Sequence, residues 1–323
     1  MTGDLRGWLE AGSGSDEDFV DRAWRLVVRR APEEDGRELA LAKLRDGTLS
    51  RAGLLRDLVA SEEFGRVHAL DGGLALAAAE RAKPRDVKGP PRPRELSAPA
   101  GLDERAIEIP WCLARYDGER RVLDVGYAFA EAAYLAGLVA LGAEDLVGVD
   151  LAQTDVPGLR SVVADVRKLP FDDGAFDLVL CISTLEHIGR DNEVYDVDAD
   201  RQEDGDAAAL RELRRVLAKE GRLLLSVPTG VRDDQGWQLQ RPPEEWIDVF
   251  DRAGFFVFED ELYVYRDGWR TATLDEARAA RYEGPGAGAV LLAELRPETF
   301  GGKLRLAVRD IRHRDEVRRS TVP

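Results

Sequence analysis

The chain has 323 residues and a formal net charge of −16, from 46 Lys and Arg side chains against 62 Asp and Glu side chains. Most of the negative charge lies in residues 97–301, which carry 22 basic and 41 acidic side chains and would repel a phosphate backbone. Composition therefore excludes nucleic acid as the main partner, and no apolar run approaches the ~20 residues that a membrane-spanning helix needs.

Two features of the sequence bear on the compartment. Residues 1–19 are acidic and lack both the basic segment and the apolar segment of a secretory signal. Cys112 and Cys181 are too few for a disulfide framework or a zinc cluster, and both lie in apolar surroundings. We therefore expect a cytoplasmic protein with reduced, buried thiols.

Shifts in composition divide the chain into four parts. An N-terminal part with apolar side chains at helical spacing is followed by a stretch of four prolines and six basic side chains, which is typical of a semi-rigid linker. The longest part comes next, and a basic tail follows it. The predicted boundaries are 1–80 for a small helical module, 81–98 for the linker, 99–301 for the main domain and 302–323 for the tail.

The helical module resembles a short helical domain that is related to phycobilisome-linker repeats. The resemblance covers residues 19–64 and implies an association with bacterial surface-glycan enzymes, but it assigns no role to the module. It rests on the spacing Gly36…Gly47…Ser50…Ser61-Glu62-Glu63-Phe64.

From residue 121 onward, predicted strands alternate with predicted helices. Uninterrupted apolar runs such as DLVLCI and RLLLSV are typical of parallel strands that are buried on both faces. Helical stretches at 128–141 and 207–219 lie between strands. The pattern predicts a doubly wound α/β domain preceded by a small all-α domain. The predicted strands are 121–126, 146–150, 161–164, 176–182, 222–227, 255–265 and 290–295.

The first predicted strand leads into a candidate cofactor site. In the segment RVLDVGYAFAEAAY the strand ends at Gly126, whose small size lets a ligand approach the backbone, and a helix begins soon afterwards. The second strand ends at Asp150, whose carboxylate can accept two hydrogen bonds from a ribose diol. These features predict a nucleoside-containing cofactor, but the run from Gly126 to Glu131 lacks the glycines of a nicotinamide-binding loop.

Further motifs follow in a fixed order. Asp165 follows the third strand, a Leu-Pro-Phe-Asp-Asp-Gly turn precedes the fourth, the run from Ser183 to His187 follows the fourth, and a Lys-Glu-Gly turn precedes the fifth. The ordered set resembles the class I S-adenosylmethionine-dependent methyltransferases over residues 101–230. This resemblance implies a seven-stranded, mostly parallel sheet and S-adenosylmethionine as the cofactor. The segments ERAIEIPWCLARY and PPEEWIDVFDRAGFFVFEDELYVYRDGWR are similar to bacterial methyltransferases that modify sugars and cell-surface polysaccharides.

Carried over position by position, the resemblance implies a set of cofactor-binding residues. For Asp124 the alternative is a structural carboxylate that caps the turn, and for Asp150 and Asp165 it is an ordinary strand-end residue. The implied residues are Asp124, Gly126, Tyr127 and Ala128 around the methionine part, Asp150 at the ribose, Leu151, Asp165 and Val166 around the adenine, and Ile182 and Ser183 closing the site.

The cofactor loop departs from the pattern of the resembled family. Ala128 and Ala130 stand where that family usually has glycine, and alanine is penalised at positive φ. Either the loop takes ordinary backbone angles or the affinity for the cofactor is impaired. We expect a working loop, and the alternative is a non-catalytic adaptor in a glycan-assembly complex.

His187 is the candidate catalytic base, because it lies just past the fourth strand at the mouth of the expected site. A neutral imidazole that titrates near pH 7 suits the removal of a proton from a hydroxyl acceptor. The alternative is a structural histidine that fixes the loop to the backbone. Glu186 and Asp191 are the reserve bases.

An acidic segment, residues 191–206, follows this site. Its Asp196-x-Asp198-x-Asp200 spacing offers oxygen ligands to a hard divalent cation, but we favour a solvated lid and assign no metal ligand.

The predicted reaction is O-methylation of a sugar hydroxyl on a small-molecule or glycan acceptor. N- or C-methylation of a small molecule is a further alternative. Aromatic side chains that could stack on a sugar lie in the last third of the chain, although most of them are expected in the core: Trp237, Trp246, Tyr263, Tyr265 and Trp269.

Overall fold

The computed structural model describes residues 14–28, 30–82, 95–193, 201–282 and 286–298. The chain divides between Gly72 and Gly73 into two compact units. Most of the predicted linker and the whole of the predicted tail lie outside the described residues. Among the described residues, no helix has the length and apolarity that crossing a bilayer requires.

The described part of the N-terminal unit is built from helices. Ser50 is the N-cap of the third helix, and its hydroxyl accepts a hydrogen bond from the backbone N–H of Gly53 at 3.0 Å. Apolar side chains from the first three helices form the core of this unit. The helices are α1 (Asp16–Val27), α2 (Glu34–Arg45), α3 (Arg51–Val59) and α4 (Glu62–Ala82), which continues past the unit boundary.

The second unit alternates strands and helices. Its helices are α5 (Arg105–Ala114), α6 (Ala132–Val139), α7 (Gly205–Val216), α8 (Pro243–Arg252) and α9 (Leu274–Ala279). Its main strands are β2 (Arg121–Val125), β3 (Asp145–Asp150), β4 (Arg160–Val163), β5 (Phe176–Ile182), β6 (Leu217–Pro228), β9 (Phe255–Tyr265) and β11 (Ala289–Pro297). Short strands are β1 (Ala98–Pro99), β7 (Asp233–Asp234), β8 (Leu239–Gln240) and β10 (Gly268–Thr271).

The central sheet has nine strands among the described residues, in the order β1-β10-β9-β11-β6-β5-β2-β3-β4. The five strands from β6 to β4 are parallel, and β11 joins them antiparallel to β6. The predicted mostly parallel α/β sheet is confirmed, whereas the predicted count of seven was wrong. The prediction missed β1 and β10 because two and four residues are too short for a periodicity to register.

A second difference concerns the start of β6. The sequence predicts a helix over 207–219 and a turn at Lys219-Glu220-Gly221, but α7 ends at Val216 and extended backbone begins at Leu217. Leu217 pairs with Phe176, and a register shift follows before Leu178. The extra length of β6 is therefore taken up by a bulge against β5.

Hydrogen bonds to a carboxylate on β9 hold helix α5 against the sheet. The Glu261 carboxylate on β9 accepts hydrogen bonds from Trp111 Nε1 at 2.9 Å and from Arg115 Nη2 at 2.6 Å. Arg115 is fully buried and lies over the Trp111 ring. This anchor matters because α5 carries side chains that reach the site described below.

Candidate active site

A cleft opens at the carboxyl ends of the parallel strands, where the chain leaves β2 in one direction and β5 in the other. This is the position at which doubly wound sheets bind ligands. Side chains from α5 and α6 form its remaining walls. The predicted residues that line it are Asp124, Gly126, Asp150, Leu151, Asp165, Val166, Ile182, Ser183 and His187.

The loop after β2 takes backbone angles that suit its residues. Gly126 has a φ of +89°, and a Cβ there would lie 2.4 Å from the hydroxyl oxygen of Thr184. Tyr127–Phe129 form a short 3₁₀ helix, and Ala130 is extended with a φ of −74°. Neither Ala128 nor Ala130 has positive φ. The substitutions of glycine by alanine therefore introduce no backbone strain.

Tyr127 lies beneath the cleft instead of lining it. Its side chain is fully buried, and its hydroxyl donates to Ser161 Oγ at 2.7 Å and accepts from the Thr154 backbone N–H at 3.3 Å. Its ring packs against Gly148 on β3, where a Cβ would meet the ring at 2.7 Å. Tyr127 thus anchors the loop on the sheet, while Phe129, Ala130 and Glu131 are the loop residues at the cleft.

Asp150 holds the two loops that flank the end of β3. Its Oδ2 accepts from the backbone N–H of Ala128 at 3.0 Å, and its Oδ1 accepts from that of Ala152 at 3.2 Å. Ala128 does not line the cleft, so its contribution is this backbone contact. Because each carboxylate oxygen carries two lone pairs, Asp150 retains the capacity to accept two further hydrogen bonds.

Asp124 lines the cleft, and its carboxylate is almost fully buried. The hydroxyl of Tyr134 donates to Oδ2 at 2.5 Å, whereas Oδ1 has no hydrogen-bond partner among the described residues. Burial, opposed by the Tyr134 hydrogen bond, raises the pKa of Asp124 to about 7. An unpaired buried carboxylate costs free energy, and a cationic group of a ligand would remove that cost.

Asp165 is paired within its own turn. Arg167 donates to its carboxylate from the backbone N–H at 2.8 Å and from Nη2 at 2.6 Å. Burial raises the pKa of Asp165, but the hydrogen bonds from Arg167 outweigh it and leave the pKa below its usual value. Arg167 also lines the cleft, and the sequence-based prediction did not include it.

Ser183, at the end of β5, has an unusual backbone. Its φ is +45°, in the left-handed region that non-glycine residues rarely adopt. Its backbone N–H donates to Ser226 Oγ at 3.0 Å, and its hydroxyl donates to Glu108 Oε2 at 2.7 Å. The preceding residue, Ile182, lines the same wall of the cleft.

His187 lies at the cleft, but it does not titrate near pH 7 as the sequence predicted. Its Nδ1 is 3.0 Å from the backbone oxygen of Trp237, and since a carbonyl can only accept, Nδ1 carries the proton. Burial lowers the pKa of His187 to about 4. The ring stacks on Trp237 with centroids 5.2 Å apart. His187 is therefore a neutral side chain that fixes its loop to a backbone carbonyl.

The structure does not place the two reserve bases at the cleft. Glu186 is buried beside His187, and its Oε2 has no hydrogen-bond partner among the described residues. Burial raises the pKa of Glu186 well above its usual value. Asp191 accepts from the Glu193 backbone N–H at 3.1 Å and pairs with Arg201. Neither carboxyl lines the cleft.

Helix α5 brings charged side chains that the prediction did not include. Arg105 lines the cleft and lies 2.9 Å from Glu131. Glu108, one turn later, is fully buried behind Ser183. The available signal was a single acidic residue in the otherwise apolar run Ala106 to Trp111, which is an unusual place for a charge.

The aromatic residues of the last third divide as expected. Trp246, Tyr263 and Trp269 are buried in the core. Trp237 is half-buried beside His187, and Tyr282 meets its ring edge-on.

The described residues contain no cluster of three His, Cys, Asp or Glu side chains that could hold a metal ion. The Asp196-x-Asp198-x-Asp200 motif lies outside the described ranges. Cys112 and Cys181 are both buried and unpaired, as predicted.

Residues 123–225 match the protein family described as "Methyltransferase domain". A stretch of 68 residues is 37% identical to an uncharacterized protein of Methanocaldococcus jannaschii, and it covers 21% of this chain and 23% of that relative. The chain thus aligns with about a quarter of that relative's length.

Solved structures of other proteins align with parts of the chain. The Burkholderia thailandensis 1,6-didemethyltoxoflavin-N1-methyltransferase, solved with S-adenosylhomocysteine, is 17% identical, with a TM-score of 0.39 over 83% of this chain and 93% of that one. The [4+2]-cyclase SpnF is 18% identical, with a TM-score of 0.42 over 74% of this chain and 97% of that one.

The domain match, together with the cleft at its strand ends, defines the class. The chain carries a class I S-adenosylmethionine-dependent methyltransferase domain, which is an enzyme domain. Its cofactor is S-adenosylmethionine. The residues at the cleft fit this group, because Asp150 retains acceptors for a ribose diol and one oxygen of Asp124 has no hydrogen-bond partner among the described residues and could accept from an ammonium group.

Proposed function

We propose that this protein transfers the methyl group of S-adenosylmethionine to a sugar hydroxyl of a glycan or a glycosylated precursor. The observation that carries the methyl-transfer part is Asp124, which lines the cleft and has a buried Oδ1 with no hydrogen-bond partner in the described part of the chain. Asp124 and Asp150 would hold the ammonium and the ribose, and Leu151, Asp165 and Val166 would surround the adenine. When bound, the cofactor would supply an electrophilic methyl group, and the electron pair of the broken S–CH3 bond would stay on sulfur.

Three observations support a neutral, hydroxyl-bearing acceptor. The main body of the chain is strongly acidic, which disfavours an anionic acceptor. The half-buried Trp237 ring stacks on His187, which lines the cleft, and aromatic rings of this kind stack on sugar faces. The segments around α5 and α8–β9 are similar to those of sugar-modifying methyltransferases. We assign His187 the role of orienting its loop. We propose that the N-terminal helices form a separate module that resembles phycobilisome-linker repeats.

Calorimetry with S-adenosylhomocysteine tests the cofactor assignment. Asp150→Ala is expected to abolish binding, because it removes the ribose acceptor and releases the Ala128 N–H. The matched control is Asp145→Ala at the opposite end of the same strand, where the carboxylate pairs with Arg160 at 3.0 Å. Wild-type protein that does not bind at millimolar ligand would instead favour the adaptor alternative.

The acceptor assignment is tested by incubating the protein with S-adenosylmethionine that is labelled in its methyl group and with a panel of methyl glycosides. Amino sugars are included in the panel so that methylation on nitrogen can also be detected. Label recovered as a methyl ether is the expected result. Label recovered only on nitrogen would contradict the hydroxyl assignment and favour N-methylation.

A further inference from the structure

A buried carboxyl group lies directly behind the cleft and is joined to it by one hydroxyl. Glu108 on α5 is fully buried, and its Oε2 accepts a hydrogen bond from Ser183 Oγ at 2.7 Å. Its Oε1 has no hydrogen-bond partner among the described residues. Ser183 itself lines the cleft, so this one residue lies between Glu108 and the ligand space.

The backbone of Ser183 indicates that this placement is specific. Its φ of +45° is strained for any residue except glycine, and such strain persists where the surroundings impose it, often at functional sites. Here the Ser226 hydroxyl, which accepts from the Ser183 N–H, helps to hold the conformation. A glycine would satisfy the backbone but would remove the hydroxyl.

The electrostatic surroundings of Glu108 suit a proton acceptor. Burial and the neighbouring Glu104 raise the pKa of Glu108 to about 8, although Arg105 and the hydroxyls of Ser183 and Ser226 lower it. Glu186 and Cys112 are further titratable groups whose charge interacts with Glu108. A base is most effective when its pKa lies near the working pH, and the His187 pKa of about 4 makes the imidazole a much weaker one.

We propose that Ser183 and Glu108 form the proton-accepting pair for a hydroxyl acceptor, an inference that rests on the proposed function. As the acceptor oxygen bonds to the methyl carbon, its proton passes to Ser183 Oγ and the Ser183 proton passes to Glu108 Oε2. The electron pair of the broken O–H bond returns to the acceptor oxygen. The carboxylate ends as a neutral acid and releases its proton to solvent before the next cycle. Ser183 is the catalytic residue of the pair, and Glu108 acts through it.

The kinetic test is the pH dependence of methyl transfer to the methyl glycoside panel. The wild-type rate should rise with pH and level off above an apparent pKa near 8. Glu108→Gln, which keeps the shape of the side chain, should lower kcat by about 100-fold or more and remove this rise. Ser183→Gly should do the same, with its folding checked by thermal unfolding. Glu108→Gln should bind S-adenosylhomocysteine as the wild type does.

Glu104→Gln is the matched control, since Glu104 is a second buried carboxyl and lies at the start of α5. Its carboxylate accepts from the Ala287 N–H and not from a hydroxyl at the cleft. This variant should keep the rise and move it to lower pH, because one like charge is removed from Glu108. A Glu108→Gln variant that keeps the rise, or that is slowed equally at every pH, would overturn the proposal.

Infrared difference spectroscopy tests the pair without any acceptor. In the S-adenosylhomocysteine complex, a protonated buried carboxyl should titrate near pH 8, disappear in Glu108→Gln and shift in Ser183→Gly. A band that is absent from the wild type, or that is insensitive to Ser183, refutes the pair. This measurement separates failure of the pair from failure of the acceptor assignment, which shows only as a lack of turnover.

Discussion

The hydroxyl of Tyr134 donates to only one oxygen of the Asp124 carboxylate and leaves the other buried at the cleft without a partner among the described residues. The pKa of about 7 follows chiefly from burial. A ligand ammonium favours the ionised form, so binding should release a proton below pH 7. We expect the affinity for S-adenosylhomocysteine to be about tenfold weaker at pH 6 than at pH 8.

Calorimetry in buffers of different ionisation enthalpy would measure both the affinity and the released proton. Asp124→Asn should bind more weakly at pH 8 and should lose the pH dependence. If the variant keeps the wild-type dependence, another group is responsible.

Gly126→Ala should destabilise the protein and prevent cofactor binding. The φ of +89° strains alanine, and the added Cβ would meet the Thr184 side chain at 2.4 Å. Gly142→Ala is the control, because Gly142 also has positive φ, +71°, but no atom lies within 4 Å of its Cβ position. Thermal unfolding and S-adenosylhomocysteine binding would distinguish the two variants. Both should have a lower melting temperature than the wild type, and only Gly126→Ala should fail to bind. Equal binding by both would contradict the steric argument.

Tyr127→Phe should cost about 1–3 kcal/mol in the free energy of unfolding, since it removes the buried hydroxyl that links the loop to Ser161 and Thr154. The ring remains packed on Gly148, so the fold should persist. A double-mutant cycle with Ser161→Ala, measured by urea denaturation, should give a coupling energy above about 0.5 kcal/mol. Strict additivity would show that the hydroxyl pair contributes nothing to stability.

His187 should make the protein less stable in mild acid. Its pKa is about 4 in the folded state, against about 6.5 for an unperturbed histidine, so the unfolded chain binds the additional proton as the pH falls from 6.5 towards 4. The corresponding loss approaches about 3 kcal/mol at pH 4. His187→Gln should show a smaller loss between pH 7 and pH 4.5 in denaturant titrations. Parallel pH profiles for the two proteins would contradict the burial of a neutral imidazole.

The sequence located those parts of the site that depend on local order along the chain. Gly126 and Asp150 each follow a buried strand, and parallel strands bring their carboxyl ends together. It could not place Tyr127, because the ring turns under the loop only where Gly148 on the next strand leaves room for it.

The remaining differences arise from contacts between distant segments. The pKa of His187 depends on burial against Trp237, fifty positions later in the chain, which no local pattern encodes. Glu108 meets Ser183 across 75 positions, and neither residue belongs to a motif that would have paired them. The short strands β1 and β10 are likewise defined by their partners and not by their own composition.

Helix α5 lies before the segment that matches the methyltransferase family, which begins at residue 123. Nevertheless it supplies Arg105 to the cleft and Glu108 behind it, and Glu261 on β9 holds it in place. A fragment trimmed to residues 123–225 would keep the parallel strands at the cleft but would lose the wall that α5 forms. Substitutions in this helix therefore offer a route to new acceptor chemistry while the sheet, with its strand-end contacts, stays unchanged.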